Sequence, residues 1–217
     1  MNFIAQPLGA LLKLIYDLIG NYGISIIVFT IVVKLVLVPL TIKQTKSMKS
    51  MQELQPKLKE LQEKYKNNQE QMNMKMMELY KEHNVNPFSG CFPLLVQFPI
   101  IIGLFTVLRN PLNYGFAEEI VGTGFLWMES LSQPDLWILP ILAGISTYLT
   151  SATIAVAGSK QDPTQNTMKY VFPIMMIWMS RSLPAGVSLY WVISSVFQVV
   201  QQIIINKPYS KLKEGSN

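Results

Sequence analysis

From Gly23 to Ile42 the chain reads GISIIVFTIVVKLVLVPLTI, an apolar run of twenty residues interrupted by one charge, Lys34. At helical rise such a run covers about 30 Å, the thickness of a bilayer's hydrocarbon core. Lys34 stands about 16 Å from its start and about 12 Å from its end, beyond the reach of its side chain to either surface. A lysine at that depth costs roughly 2.5–3.5 kcal/mol on insertion scales, so it belongs against protein or water rather than lipid. Thr30 and Thr41 fall on the same helical face, which makes that face polar.

Four further apolar runs follow, at about 91–109, 136–157, 168–183 and 185–205. The predicted fold is therefore an all-α polytopic membrane protein with five transmembrane helices, the first being 23–42. Lysines and arginines are distributed unevenly between the connections. Nine lysines lie in 43–90, two more are Lys160 and Lys169, and Lys207, Lys211 and Lys213 lie in the tail; only Lys13, Arg109 and Arg181 lie on the other side. That asymmetry predicts the N-terminus outside and the C-terminus in the cytoplasm. Residues 110–135 become an extracytoplasmic loop, with Glu118, Glu119, Glu129 and Asp135; 158–167 is a cytoplasmic loop and 206–217 a cytoplasmic tail.

Residues 1–22 place Leu8, Leu11, Leu12, Ile15, Leu18 and Ile19 on one helical face and Lys13 and Asp17 on the other. The pattern fits an extracytoplasmic interfacial helix, and equally a helix packed on the other spans. The segment has neither the basic start and cleavage site of a secretory signal nor a lipid-acceptor cysteine.

Between the first two spans, 43–90 changes character. Met51, Leu54, Leu58, Leu61 and Tyr65 recur at spacings of three and four, and after Asn67-Asn68-Gln69 the pattern resumes with Met72, Met76, Leu79 and His83. Two amphipathic helices joined by a short turn predict an antiparallel cytoplasmic hairpin. Pro56 should bend or restart the first of them near Gln55. Met74 and Met77 lie off the seam, where adaptable thioethers offer a docking surface for apolar partners, with Lys57 and Lys59 nearby. Six glutamates interleave with the nine lysines, so the hairpin's net charge is only +3 and most of it is a solvated face.

The last span carries Ser188, Trp191, Ser195, Gln198 and Gln202 at spacings of 3, 4, 3 and 4, with Tyr190, Ser194 and Gln201 beside them. Such a stripe avoids lipid; its plain role is hydrogen bonding between helices. The second span adds Gln97 and the prolines Pro87, Pro93 and Pro99, and the third adds Thr147, Thr150 and Ser151, which can also bond back to their own helix. No carboxylate occurs in any of the five spans to neutralise Lys34, so the polar faces predict a hydrated groove around it.

Composition narrows the function. Half of the 217 residues are hydrophobic and 14% are charged, leaving room for one membrane domain and one small soluble excursion. One cysteine, Cys91, and one histidine, His83, exclude an internal disulfide and argue against a metal site. No phosphate loop, nucleic-acid module or catalytic arrangement is present, so neither an enzyme nor a cofactor is expected.

The succession GNYGISIIVFTIVVKLVLVPLTIKQTKSM, LQPKLKELQEKY, NVNPFSGCFPLLVQFPI and LPAGVSLYWVISSVFQ resembles the YidC insertase family, with its mitochondrial Oxa and chloroplast Alb relatives, from about Asn21 to Asn206. The resemblance implies a short bacterial-type member without a large periplasmic domain, in a plasma membrane. It implies a membrane protein insertase with a hydrophilic groove open to the cytoplasm and lipid but closed outside. In the family the groove's charge is usually an arginine, and Lys34 takes that position. Thr30, Gln97, Tyr190 and Trp191 match polar or aromatic groove positions, and Thr150 replaces a frequent glutamine. The implied partners are newly made membrane proteins and the lipid bilayer, with the ribosome, signal recognition machinery and the Sec translocon as further candidates. From the residues alone, a small channel or transporter and a docking subunit of a membrane complex remain as alternatives. The absence of intramembrane carboxylates and internal repeats weighs against transport.

Overall fold

The computed structural model describes residues 2–86, 92–117, 120, 122–155 and 163–214; Pro87, Cys91, Glu118, Glu119 and Lys160, which enter the sequence reading, lie outside them. Among the described residues seven α-helices follow in order: α1 (Asn2–Ile19), α2 (Tyr22–Lys64), α3 (Gln69–Glu82), α4 (Phe92–Arg109), α5 (Ile138–Ala155), α6 (Pro163–Ser180) and α7 (Ala185–Glu214). A short 3-10 turn spans Pro111–Tyr114, and the described residues contain no strand, only an isolated antiparallel bridge between Phe125 and Met128.

Local chemistry sets the helix ends. Gly20 closes α1 with a left-handed backbone (φ 73°), a conformation that costs a side-chain-bearing residue energy. Asn21 then caps α2, its side chain accepting from the Ile24 amide at 3.0 Å. Asn68 caps α3 in the same way through the Gln71 amide at 3.0 Å. Asp135 caps α5, accepting from the amides of Trp137 and Ile138 at 2.8 and 2.9 Å. At the start of α7 the amides of Ala185 and Gly186 donate to the carbonyls of Gln133 and Leu131, each at 2.9 Å, so the loop before α5 closes that end of the bundle.

α2 is continuous from the apolar run into the hairpin and passes through Pro39 and Pro56. Of the bend or restart expected near Gln55, the restart does not occur. Leu54, Gln55 and Leu58 are buried on both sides of Pro56, and packing there holds the helix through the one backbone bond that proline removes. α3 folds back on this end of α2. Leu54, Leu58 and Val85 form a small core surrounded by Met51, Met76, Leu79 and Tyr80.

The main core joins α1, α2, α4 and α7 through Leu12, Ile26, Phe29, Leu104, Leu108, Val187 and Tyr190. α1 lies on α4 with Ala5, Leu12 and Ile15 inward, while Leu14 and Leu18 point away. α1 thus packs on the bundle, while Leu18 and Ile19, which belong to the apolar face read from the sequence, stay exposed. Gly103 permits the approach: a Cβ there would meet the Leu8 side chain at 2.7 Å. Gly144 does the same between α5 and α6, where a Cβ would overlap Ile177.

The arrangement of polarity is inverted relative to a water-soluble bundle. Ser25, Thr30, Lys34, Ser146, Thr147, Ser180, Ser188, Ser194, Ser195 and Gln202 are buried. Large apolar side chains face outward along α2 (Leu35, Val36), α5 (Ile141, Ile145, Leu149), α6 (Val171, Ile174) and α7 (Val196, Val200, Ile204). Apolar stripes of this extent on a surface mark faces that meet a membrane or another protein. α2 and the Ala185–Ile205 part of α7 are long and apolar enough to cross a membrane, with mean hydropathy of 2.5 and 1.5 over their most apolar stretches. Gln97–Arg109 and Ile138–Thr153 are shorter apolar helices.

Candidate functional site

The site begins with Lys34, on the inward face of α2 and only 7% exposed. Its ammonium donates to Gln97 Oε1 of α4 at 3.2 Å. Gln97 in turn donates through Nε2 to the hydroxyl of Tyr190, a fully buried residue of α7. Three helices are thus joined through one charge, one amide and one phenol. The partner of Lys34 is the neutral Gln97, and no carboxylate among the described residues pairs with it. A buried ammonium held by a neutral amide retains most of its desolvation cost. A carboxylate beside it would offset part of that cost, against the desolvation of the carboxylate itself.

Thr30 lies one turn before Lys34, and its hydroxyl donates to the Ile26 carbonyl of its own helix at 2.7 Å. The polar stripe of α7 divides between neighbours. Towards α5, the Trp191 indole N–H donates to Thr147 Oγ1 at 2.9 Å and the Thr153 hydroxyl donates to Gln202 Oε1, while Thr150 Oγ1, which donates to the Ser146 carbonyl of its own helix at 2.9 Å, lies 3.3 Å from the Ser195 carbonyl. Towards α6, the Ser180 hydroxyl donates to that of Ser188 at 2.7 Å. Towards α2, Gln201 Nε2 donates to Thr41 Oγ1 at 2.6 Å. Gln198 is half-buried with no hydrogen-bond partner among the described residues.

Lys34, Gln97 and Tyr190 therefore form one cluster, while Trp191, Thr150, Ser195 and Gln202 form a seam between α5 and α7, and Ser188 a separate link to α6. Thr153 and Ser180 complete these contacts and were missed from the sequence. Thr153 follows Thr150 at helical spacing, which was a usable signal; nothing in the local pattern marked Ser180.

In the hairpin, Met74 and Met77 point outward, off the seam, as their spacing predicts. Lys57 lies 3.0 Å from the His83 ring, bridging the two helices, and Lys59 is also engaged in a contact.

Comparison with known proteins places this geometry. The family model described as 60Kd inner membrane protein matches residues 14–213. The chain belongs to the YidC/Oxa/Alb family. Among its YidC relatives, the membrane protein insertase of Fusobacterium nucleatum is 45% identical over 95% of this chain and 96% of its own length. That of Caldanaerobacter subterraneus is 42% identical over the whole of both chains. In structure, the chain resembles an active YidC insertase whose first transmembrane domain is resolved, with a TM-score of 0.71 and 29% identity; the match covers 92% of this chain and 45% of that one. As a YidC-family member the chain is a membrane protein, which accounts for its inverted polarity: apolar side chains outside, hydroxyls, amides and one ammonium inside.

Proposed function

We propose that this chain is a membrane protein insertase that works without bond-making chemistry, by offering a polar, positively charged path inside the bilayer. The observation that carries the reading is Lys34: a buried ammonium at the meeting point of α2, α4 and α7, hydrogen-bonded to the neutral Gln97 and facing no described carboxylate. An acidic or polar segment of a substrate enters beside it and exchanges hydrogen bonds with Gln97, Tyr190 and the α5–α7 seam. The polar segment then crosses a thinner hydrophobic barrier than the intact bilayer presents. The attached apolar segment leaves along the outward faces of α2 and α7, where Leu35, Val36, Val196 and Val200 are exposed.

In this reading five spans cross a bacterial plasma membrane, with the N-terminus outside and the C-terminus in the cytoplasm, and α2 beyond Ile42 together with α3 forms the cytoplasmic hairpin. The site opens to the cytoplasm and is closed on the other side. Met74 and Met77 form the surface on which the ribosome, signal recognition machinery or the Sec translocon docks. Cysteine accessibility tests the reading. In a Cys91→Ser background, single cysteines at the half-buried Gln97 and Gln198 should react with a membrane-impermeant reagent added from the cytoplasmic side and not from the other. Reaction from both sides would indicate a channel; reaction from neither would indicate a sealed structural core.

A further inference from the structure

The loop before α5 contains a backbone feature that insertion through Lys34 does not use. Phe125 and Met128 exchange both of their backbone hydrogen bonds, at 2.9 and 3.0 Å, closing a two-residue turn. Its tip is Leu126-Trp127. Turns of this kind favour glycine, asparagine or aspartate, because the first or both of their central residues adopt positive φ. Here Leu126 holds φ +57° and is 72% exposed. A bulky apolar residue in a left-handed conformation, aimed away from the protein, is costly on both counts, and such outliers persist where the surroundings or a function require them.

The turn is held firmly. Met128 is buried, and Phe125 packs so closely on Gly23 of α2 that a Cβ there would overlap its ring. The Trp127 indole N–H donates to Asp135 Oδ2 at 2.6 Å, while the other oxygen of Asp135 caps α5. The tip is thereby fixed at the level of the α5 N-terminus. At that level Arg181 stacks on Trp137, with its guanidinium 4.7 Å from the ring centroid, and Trp178 lies on the last turn of α6. Trp137 and Trp178 both face outward. The apolar stripe of α6, Val171, Ile174 and Trp178, ends here and gives way to Arg181. An apolar stripe ending in outward tryptophans and an arginine is the chemistry of the boundary between acyl chains and phospholipid headgroups.

We propose that Leu126 and Trp127 form a lipid-inserting anchor that seats this loop in the headgroup–acyl boundary at the α5 end of the bundle, with Arg181 meeting the lipid phosphates. The occupant is phospholipid. The anchor holds the loop whose Leu131 and Gln133 carbonyls cap α7, and so braces the closed end of the bundle against the bilayer. This inference rests on the membrane-embedded reading given above.

The test uses the full chain with Cys91→Ser in phospholipid nanodiscs. Nitroxide labels are placed singly at Leu126→Cys, at Trp127→Cys as a second tip position, at Ile145→Cys on the outward face of α5, and at Glu63→Cys in the hairpin. Collisions with oxygen and with a water-soluble nickel chelate are compared. The expected oxygen-to-nickel ratio at 126 and 127 is several-fold above that at 63 and below that at 145. Tip ratios equal to that at 63, with 145 oxygen-rich, would overturn the anchor and leave the membrane-embedded bundle standing. A tip shielded from both reagents would mean that protein, through a second copy of the chain, covers it, and would overturn the lipid assignment. A water-like ratio at 145 would overturn the bundle reading and the anchor together.

Discussion

Removing the charge at Lys34 is the most direct perturbation of the proposed site. Opposite unit charges 4 Å apart at an effective dielectric constant of about 20 attract by about 4 kcal/mol. A substrate carboxylate gives up hydration to reach the site, and a hydrogen bond to a charged group nets about 1.5–3 kcal/mol. At 1.4 kcal/mol per tenfold, that predicts a loss of about ten- to a hundredfold in insertion of an acidic-tailed single-span substrate by Lys34→Ala in proteoliposomes. Lys34→Arg, which keeps the charge, should insert within a few-fold of the parent, and Lys34→Glu should fall below alanine. The same substrate with a neutral tail should respond weakly. Loss of fold does not explain such a pattern, because alanine removes a buried, unneutralised ammonium, whose desolvation costs several kcal/mol. Thermal unfolding in detergent should therefore be no lower for Lys34→Ala than for the parent. If the alanine variant is folded and inserts the acidic substrate at the parental rate, electrostatic capture at Lys34 is wrong.

Three further outcomes follow from the packing. Leu58→Ala opens the small core between α2 and α3, and at about 2–5 kcal/mol should raise amide hydrogen exchange across Gln69–Glu82 by at least about thirtyfold, with the α5–α7 amides unchanged; unchanged exchange in α3 would contradict the hairpin packing. Gly144→Leu forces side-chain atoms against Ile177, so α5 and α6 must separate; overpacking of about 1–3 kcal/mol should appear as a lower unfolding temperature in detergent, and an unchanged one would refute the close crossing. Trp191→Phe keeps the ring and deletes the hydrogen bond to Thr147. Bonds of that kind inside membranes average about 0.6 kcal/mol, so stability should hardly change, and a severe loss would show that Trp191 does more than join two helices.

The sequence by itself determined the elements and their faces. A twenty-residue apolar run around Lys34, the three-and-four spacing of Leu54, Leu58, Met76 and Leu79, and the stripe from Ser188 to Gln202 are all local periodicities, and periodicity reports which side of a helix avoids lipid or water. It also marked Met74 and Met77 as off the seam, because that depends only on angle around one axis. What periodicity does not contain is which helix stands opposite a given face, and there the tertiary structure decided. Gln97 reaches Lys34 across 63 residues of chain, and the α7 stripe divides so that Tyr190 serves the Lys34 cluster, Trp191 and Gln202 face α5, and Ser188 meets Ser180 of α6. The passage of α2 through Pro56 was equally a matter of tertiary structure: one missing backbone bond predicts a break in an isolated helix, and packing by Leu54 and Leu58 overrides it. The same holds for Asp135, which caps α5 and holds the Trp127 indole at once. Helix faces follow from angles within one segment, whereas hydrogen-bond partners follow from distances between segments, and those are set by how the helices cross.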